Sequence, residues 1–253
     1  MANWVKNRTI VCGTKKQIIN LLNKVSEEEV KLETVEQWNA EEWTAHIKQI
    51  ASQNLTLRSW YQMPKTFIEW DTTNPKTPFE VYNFKSETEE DKIIEYNKYC
   101  AQYESEKLYQ LEMYGAVGWY EYNMITLGCK WNCKLESFEF LTMENNHILI
   151  ELTTKTPWST PYSWFSNLIK DYGVDIVNYA DEEDGFFNDA TDYKNGHVIY
   201  NVLKELETEL EKMGVNMTWD CETYYQKRDS KLFELQEIAY QKMKEYILNK
   251  INK

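Results

Sequence analysis

Histidine, proline and glycine are scarce in this chain, with 3, 5 and 8 copies in 253 residues. So few backbone breakers exclude a linker-rich or disordered polypeptide. His46, His147 and His197 do not stand at ligand spacing from one another, which argues against a histidine-built metal site. The 5 cysteines are odd in number and scattered, a pattern of reduced thiols and not of a disulfide framework. Cys129 and Cys133 make a C-x3-C pair. Zinc would need two further ligands, so the pair reads as free thiols, with no metal and no cofactor expected. No apolar run approaches a membrane span, and the first residues lack the apolar core of a secretion signal. The expectation is a cytoplasmic protein.

Signatures of catalysis are missing as well. Gly13-Thr14-Lys15-Lys16 lacks the upstream glycine of a phosphate-binding loop. There is no G-x-S-x-G elbow and no H-E-x-x-H. Glu151 and Lys155 lie on one strand without the additional acid of a metal-dependent nuclease. No catalytic residue is singled out, and a non-enzymatic protein is expected.

Acid and aromatic side chains are plentiful. The net charge is -13, and it is concentrated late: residues 86–253 hold 31 acidic and 17 basic side chains, against 10 and 11 in residues 1–85. Such a surface repels phosphate backbones, so direct nucleic-acid binding is disfavoured and a partner with a basic groove is favoured. With 10 Trp, 18 Tyr and 9 Phe, the chain is well supplied with the residues that anchor cores and interfaces.

The periodicity predicts mixed α and β structure. Residues 3–12 read as a strand, and Thr14 caps a helix to about Lys24. Residues 26–52 are amphipathic and helical, 55–61 extended, and 71–86 an irregular connector with Pro75 and Pro78. Ser86 opens a long helix ending at Gly115. Residues 135–142 and 147–154 alternate apolar and polar around Met143-Glu144-Asn145-Asn146, a hairpin with one buried face. In TKTPWSTPYSWF, residues 154–165, Ser159 or Thr160 caps a helix whose first turn accepts Pro161, and Gly173 ends it. That stretch reads first as a strand-to-helix corner. Trp158, Tyr162 and Trp164 are either its packing or an aromatic contact surface. A strand follows at 174–179, an acidic helix at 198–213, and a last helix from Asp229.

Residues 171–192 carry eight carboxylates and no Lys or Arg. Their order does not fit a calcium loop. They read as a solvated acidic loop, or as a negative patch of Asp175, Asp181, Glu182, Glu183, Asp184, Asp189 and Asp192 that meets a cationic partner.

Several blocks, in order, carry a resemblance. MANWVKNRTIVCG at the start, MPKTF at 63–67, YNMITLGCKWN at 122–132 with Gly128, Lys130 and Trp131, TKTPWSTP at 154–161, and Tyr179 followed by Glu183, Gly185 and Phe187 are similar to the YubB-type ferredoxin-like family of bacteriophages, prophages and plasmids. Cys129 stands where that pattern has Thr, and Asn132 where it has Asp. The elements agree with the implied fold, α+β, a ferredoxin-like split βαβ antiparallel sheet. A large helical insertion occupies about 26–130. Residues 1–196 would form the domain, and 197–253 a C-terminal helical extension packed on it. The resemblance implies a phage or mobile-element accessory protein in the cytoplasm of a bacterial host. Such a protein would bind and inhibit a host defence complex, an anti-CRISPR or similar activity. The alternative is a nucleic-acid or nucleotide-binding module, or an enzyme on such a ligand, with Lys6, Arg8, Lys15 and Lys16 as its small basic cluster.

Overall fold

The computed structural model describes residues 3–65, 67, 88–182, 188–213 and 222–252. Strands β1 (Trp4–Thr14), β2 (Leu135–Glu144), β3 (His147–Pro157), β4 (Asp175–Glu182), β5 (Asn188–Asp192) and β6 (His197–Asn201) form one antiparallel sheet in the order β2-β3-β1-β4-β5-β6. The first four strands, with helices α1 (Lys15–Asn23) and α6 (Tyr162–Tyr172), make the β-α-β-β-α-β pattern of a ferredoxin-like fold. Between α1 and β2 lie α2 (Leu32–Val35), α3 (Ala40–Ala51), α4 (Glu89–Tyr114) and α5 (Gly118–Thr126), the helical insertion. Among the described residues, helices α7 (Val202–Lys212) and α8 (Glu222–Ile251) follow β6. No described helix is long and apolar enough to cross a membrane.

Local chemistry explains the main turns. Thr14 accepts from the Gln17 amide, and Gln17 Oε1 accepts from the Thr14 amide at 2.8 Å, so α1 starts in a capping box. Asn145 and Asn146 have φ of 47° and 64°, the left-handed pair that a two-residue hairpin turn needs and that Asn tolerates. Gly173 ends α6 with φ of 70°.

The sheet is covered on both faces. Val11, Ile148, Ile150 and Ile176 pack under α1, α3 and α6 with Ile18, Trp43, Ile47, Trp164 and Phe165. Ile10, Cys12, Leu149, Val177 and Ala190 pack under α7 and α8 with Leu206, Ala239, Met243 and Ile247. The expected one-sided hairpin is therefore corrected: β3 is buried on both sides from Ile148 to Leu152, because the C-terminal helices supply a second apolar layer.

Other expectations also shift. Residues 55–61 are not extended but turn through a 3-10 helix at Leu57–Ser59, touching the sheet by a bridge from Thr56 to Lys134. Thr88 caps α4, its hydroxyl accepting from the Asp91 amide at 3.2 Å. Ser86 and the connector at 71–86 lie outside the described residues. Pro161 itself holds the cap position of α6. Residues 188–192 of the acidic run are a strand, and His197–Asn201 is a strand before α7 begins. Helix α8 already runs at Glu222, ahead of Asp229. Residues after 196 thus contribute β6 to the same sheet as well as helices to its surface.

Candidate functional site

Strand register divides the acidic run between two ends of the sheet. Asp175 faces Cys12 and Asp192 faces Val177, whereas Asp181 faces Lys6 and Glu182 faces Val5. At the first end the carboxylates are consumed internally. Asp192, 0% exposed, accepts from the amides of Lys194 and Asn195 at 2.9 and 3.2 Å. It also accepts from Asn195 Nδ2 at 2.8 Å, Tyr246 Oη at 2.8 Å and Lys250 Nζ at 3.1 Å. Burial pushes its carboxyl pKa up, and the bonds from Asn195, Tyr246 and Lys250 outweigh that and hold it below the ordinary value. Asp175 meets Lys250 at 2.8 Å and Lys194 at 3.1 Å. These two acids fasten α8 to the sheet and do not form an outward patch. Asp189 is half-buried, and burial raises its carboxyl pKa against a bond to Thr191.

At the other end Glu182 is buried and accepts from Asn3 Nδ2 at 3.2 Å. Asp181 lies half-buried beside it in the strand, and Glu183 and Asp184 lie outside the described residues. The TKTPWSTPYSWF corner reaches this same end, because Pro157 pairs with Trp4 where β1 begins. The Trp158 amide donates to the Asn3 carbonyl at 2.8 Å. Trp158 has φ of 70°, a conformation costly for a bulky residue, and its side chain is 54% exposed. Tyr162 is exposed too. Trp164 is not: it is core, 5.5 Å from the Trp60 ring and 5.6 Å from Phe165 between centroids. The corner therefore both turns the chain and presents two aromatics, and only the third packs inward.

A second loop joins it. Ser159 Oγ donates to the Gly128 carbonyl at 3.0 Å, and the Leu127 carbonyl accepts the Trp164 amide at 3.3 Å, so residues 127–128 close the start of α6. Gly128 has φ of 76°, and a Cβ there would stand 2.8 Å from the Ser163 nitrogen. Three residues later comes Trp131, 40% exposed, with its ring 6.4 Å from that of Trp4 and with Lys130 Nζ 5.2 Å above it. Trp4 at a strand end, Trp131 and Trp158 on loops and Tyr162 at the start of α6 thus gather at one end of the sheet. The motif blocks around 128–131 and 154–161 had marked these positions in the sequence, but not their meeting.

The strands β1, β3 and β4 also carry a buried polar layer. Asn7 Nδ2 donates to Thr156 Oγ1 at 2.9 Å, Asn178 Nδ2 to Asn7 Oδ1 at 3.2 Å, and Thr9 Oγ1 to Asn178 Oδ1 at 2.7 Å. Satisfied bonds of this kind hold the strand ends in one arrangement. Sequence reasoning misses them because polar residues at alternate strand positions normally face water.

On the opposite face a cleft of about 120 Å³ opens among Lys6, Arg8, Tyr179, Asp181, Phe233 and Gln236. Arg8 is already engaged there. Its Nε lies 3.2 Å from Glu151, and its guanidinium sits 3.3 Å over the Tyr240 ring, whose hydroxyl donates to Glu151. Of the basic cluster, Arg8 therefore ties α8 to β1. Among the described residues no three His, Cys, Asp or Glu side chains gather as a metal-binding group. Cys129 and Cys133 are both buried, each sulfur 3.4 Å from the Trp131 carbonyl.

No curated protein and no solved structure matches the chain. Residues 130–226, which begin at Lys130 and include Trp131, the corner and β2 to β6, match the family described as "Ferredoxin-like domain in Api92-like protein", so this part of the chain is similar to a ferredoxin-like family.

Proposed function

We propose that the protein is a non-catalytic interaction protein that grips a macromolecular partner with the aromatic end of its sheet. The observation that carries this reading is Trp158, held half-exposed in a left-handed backbone conformation beside the exposed Trp131 and Tyr162. Strained residues persist where the surrounding structure over-determines them, and they cluster at functional sites. Tryptophan and tyrosine are the side chains that most often dominate an interface.

The partner is a host protein or nucleoprotein complex with a basic groove, which a chain of net charge -13 approaches favourably. The finer reading is a phage or mobile-element accessory protein that blocks a host defence complex in the bacterial cytoplasm. It rests on the resemblance of the amino-terminal and corner motifs. The nucleic-acid reading is less well supported, because helices cover the sheet surface on which base-stacking readers lay their ligand. Anisotropy with short RNA and DNA at low salt should give no binding. Plaque counts in hosts carrying individual defence systems, with and without the protein, test the proposal. A rise in plaquing with one system supports it, and equal counts across the systems reject the inhibitory role.

A further inference from the structure

The loop that presents Trp131 contains two thiols at its ends. Cys129 and Cys133 each point a sulfur at the Trp131 carbonyl, both at 3.4 Å, so the two thiols converge on one oxygen. The backbone around them is already pinned. The Asn123 side chain donates to the Lys130 carbonyl at 2.7 Å. Asn132 Oδ1 accepts the Arg58 amide at 3.1 Å, and the Cys133 carbonyl accepts the Leu57 amide at 2.9 Å. Bringing the sulfurs together thus does not require the loop to be recruited from elsewhere. From this geometry we propose that Cys129 and Cys133 are an oxidisable dithiol, which a peroxide converts to an intraloop disulfide and a cellular thiol restores.

The chemistry balances with peroxide as the oxidant. Cys133 thiolate attacks one peroxide oxygen, the O–O bond breaks, and water leaves after proton uptake. Cys129 sulfur then attacks the Cys133 sulfenic acid, the S–O bond breaks, and a second water leaves. Two thiols lose two electrons in total, and the peroxide gains them. The order of events follows from the mutual influence of the two thiols. It raises the Cys129 pKa and lowers that of Cys133, so Cys133 reaches the thiolate first. The other described thiols are differently placed. Burial, and then Asp175, push the Cys12 thiol up to about 12. Cys100 is half-exposed on α4.

Closing the disulfide removes both thiols as donors to the Trp131 carbonyl and shortens the loop that carries the indole. Insofar as it rests on the interaction reading above, this makes partner binding redox-sensitive. The dithiol itself does not depend on that reading, and it is tested without a partner. The reduced, folded chain is treated with hydrogen peroxide, quenched, alkylated in denaturant and mapped by peptide mass. The expected result is a peptide bearing both cysteines that has lost two hydrogens, resists alkylation, and becomes alkylated after reduction. Cys133→Ser should abolish it, and Cys129→Ser should leave Cys133 trappable as a sulfenic acid. Surface labelling of Trp131 should slow or quicken when the bond closes. Complete alkylation of both cysteines at a dose that already oxidises Cys100 overturns the proposal. A disulfide that leaves the labelling of Trp131 unchanged supports the dithiol and overturns its link to partner binding.

Discussion

The hydroxyl of Ser159 reaches the carbonyl of Gly128 at 3.0 Å, and this bond fastens the loop of Trp158 to the loop of Trp131. Two segments about thirty residues apart are thereby made into one surface. The close approach depends on residue 128 having no side chain, since a Cβ there would stand 2.8 Å from the Ser163 nitrogen and the backbone is left-handed. Gly128→Ala should cost roughly 2–3 kcal/mol in urea unfolding. A change within about 0.5 kcal/mol, the scatter of ordinary surface substitutions, would show that the approach is looser than described.

Trp158 offers a test with an unusual sign. At most surface positions alanine is better than glycine, because glycine loses more backbone freedom on folding. At φ of 70° the order inverts. Trp158→Gly should be more stable than Trp158→Ala by about 1 kcal/mol. Trp164→Ala, in the core, should lose roughly 3–5 kcal/mol. Thermal melts of the three variants decide the matter, and alanine above glycine at 158 would contradict the strained backbone.

Asp192 predicts a pH dependence. Its folded pKa is depressed, so its contribution is present above the unfolded value of about 4 and is lost as pH falls through the folded value. Unfolding free energy should therefore decline below about pH 4 in part through this group, and Asp192→Asn should flatten that decline. At neutral pH the same substitution should cost roughly 2–4 kcal/mol, because it weakens bonds from Lys250 and Tyr246 and leaves Lys250 less well compensated. Parallel slopes for the two proteins between pH 5 and pH 3 would refute the assignment.

Truncation separates a dispensable extension from an integral half of the core. Ending the chain at residue 195 removes β6, α7 and α8 and uncovers Ile10, Leu149, Val177 and Ala190. Such a chain should lose near-UV circular dichroism and aggregate on size exclusion. A monodisperse fragment with native-like spectra would mean that residues 1–195 fold independently.

Much of this architecture was legible in the residues. The alternation at 135–142 and 147–154, Thr14 before an apolar helix and Gly173 at a helix end are local signals, and the structure contains those elements, with Pro161 one position earlier than expected, at the cap of α6. The failures are long-range. His197–Asn201 holds the β-formers Val198, Ile199 and Tyr200, but so short a run merges with the helical pattern after it, and its pairing with β5 decides it. Asp192 looks like a surface acid until Tyr246 and Lys250 arrive from the far end of the chain. Asn7 and Thr9 look like ordinary polar strand residues until Thr156 and Asn178 meet them from the neighbouring strands. The two members of the aromatic surface on the corner were nameable from the sequence, but Trp131 joins them only through the Ser159 bond to Gly128.

The most direct test of the account compares plaquing in a host whose defence system the intact protein suppresses. Trp131→Ala, Trp158→Gly and Tyr162→Ala are combined in one chain, with folding verified by its melt. Each removed hot spot is worth about 1–2 kcal/mol or more, so binding should fall by a hundredfold or more, roughly, and suppression should be lost. A folded triple variant that suppresses the system as well as the intact protein would contradict the claim that this end of the sheet is the contact surface.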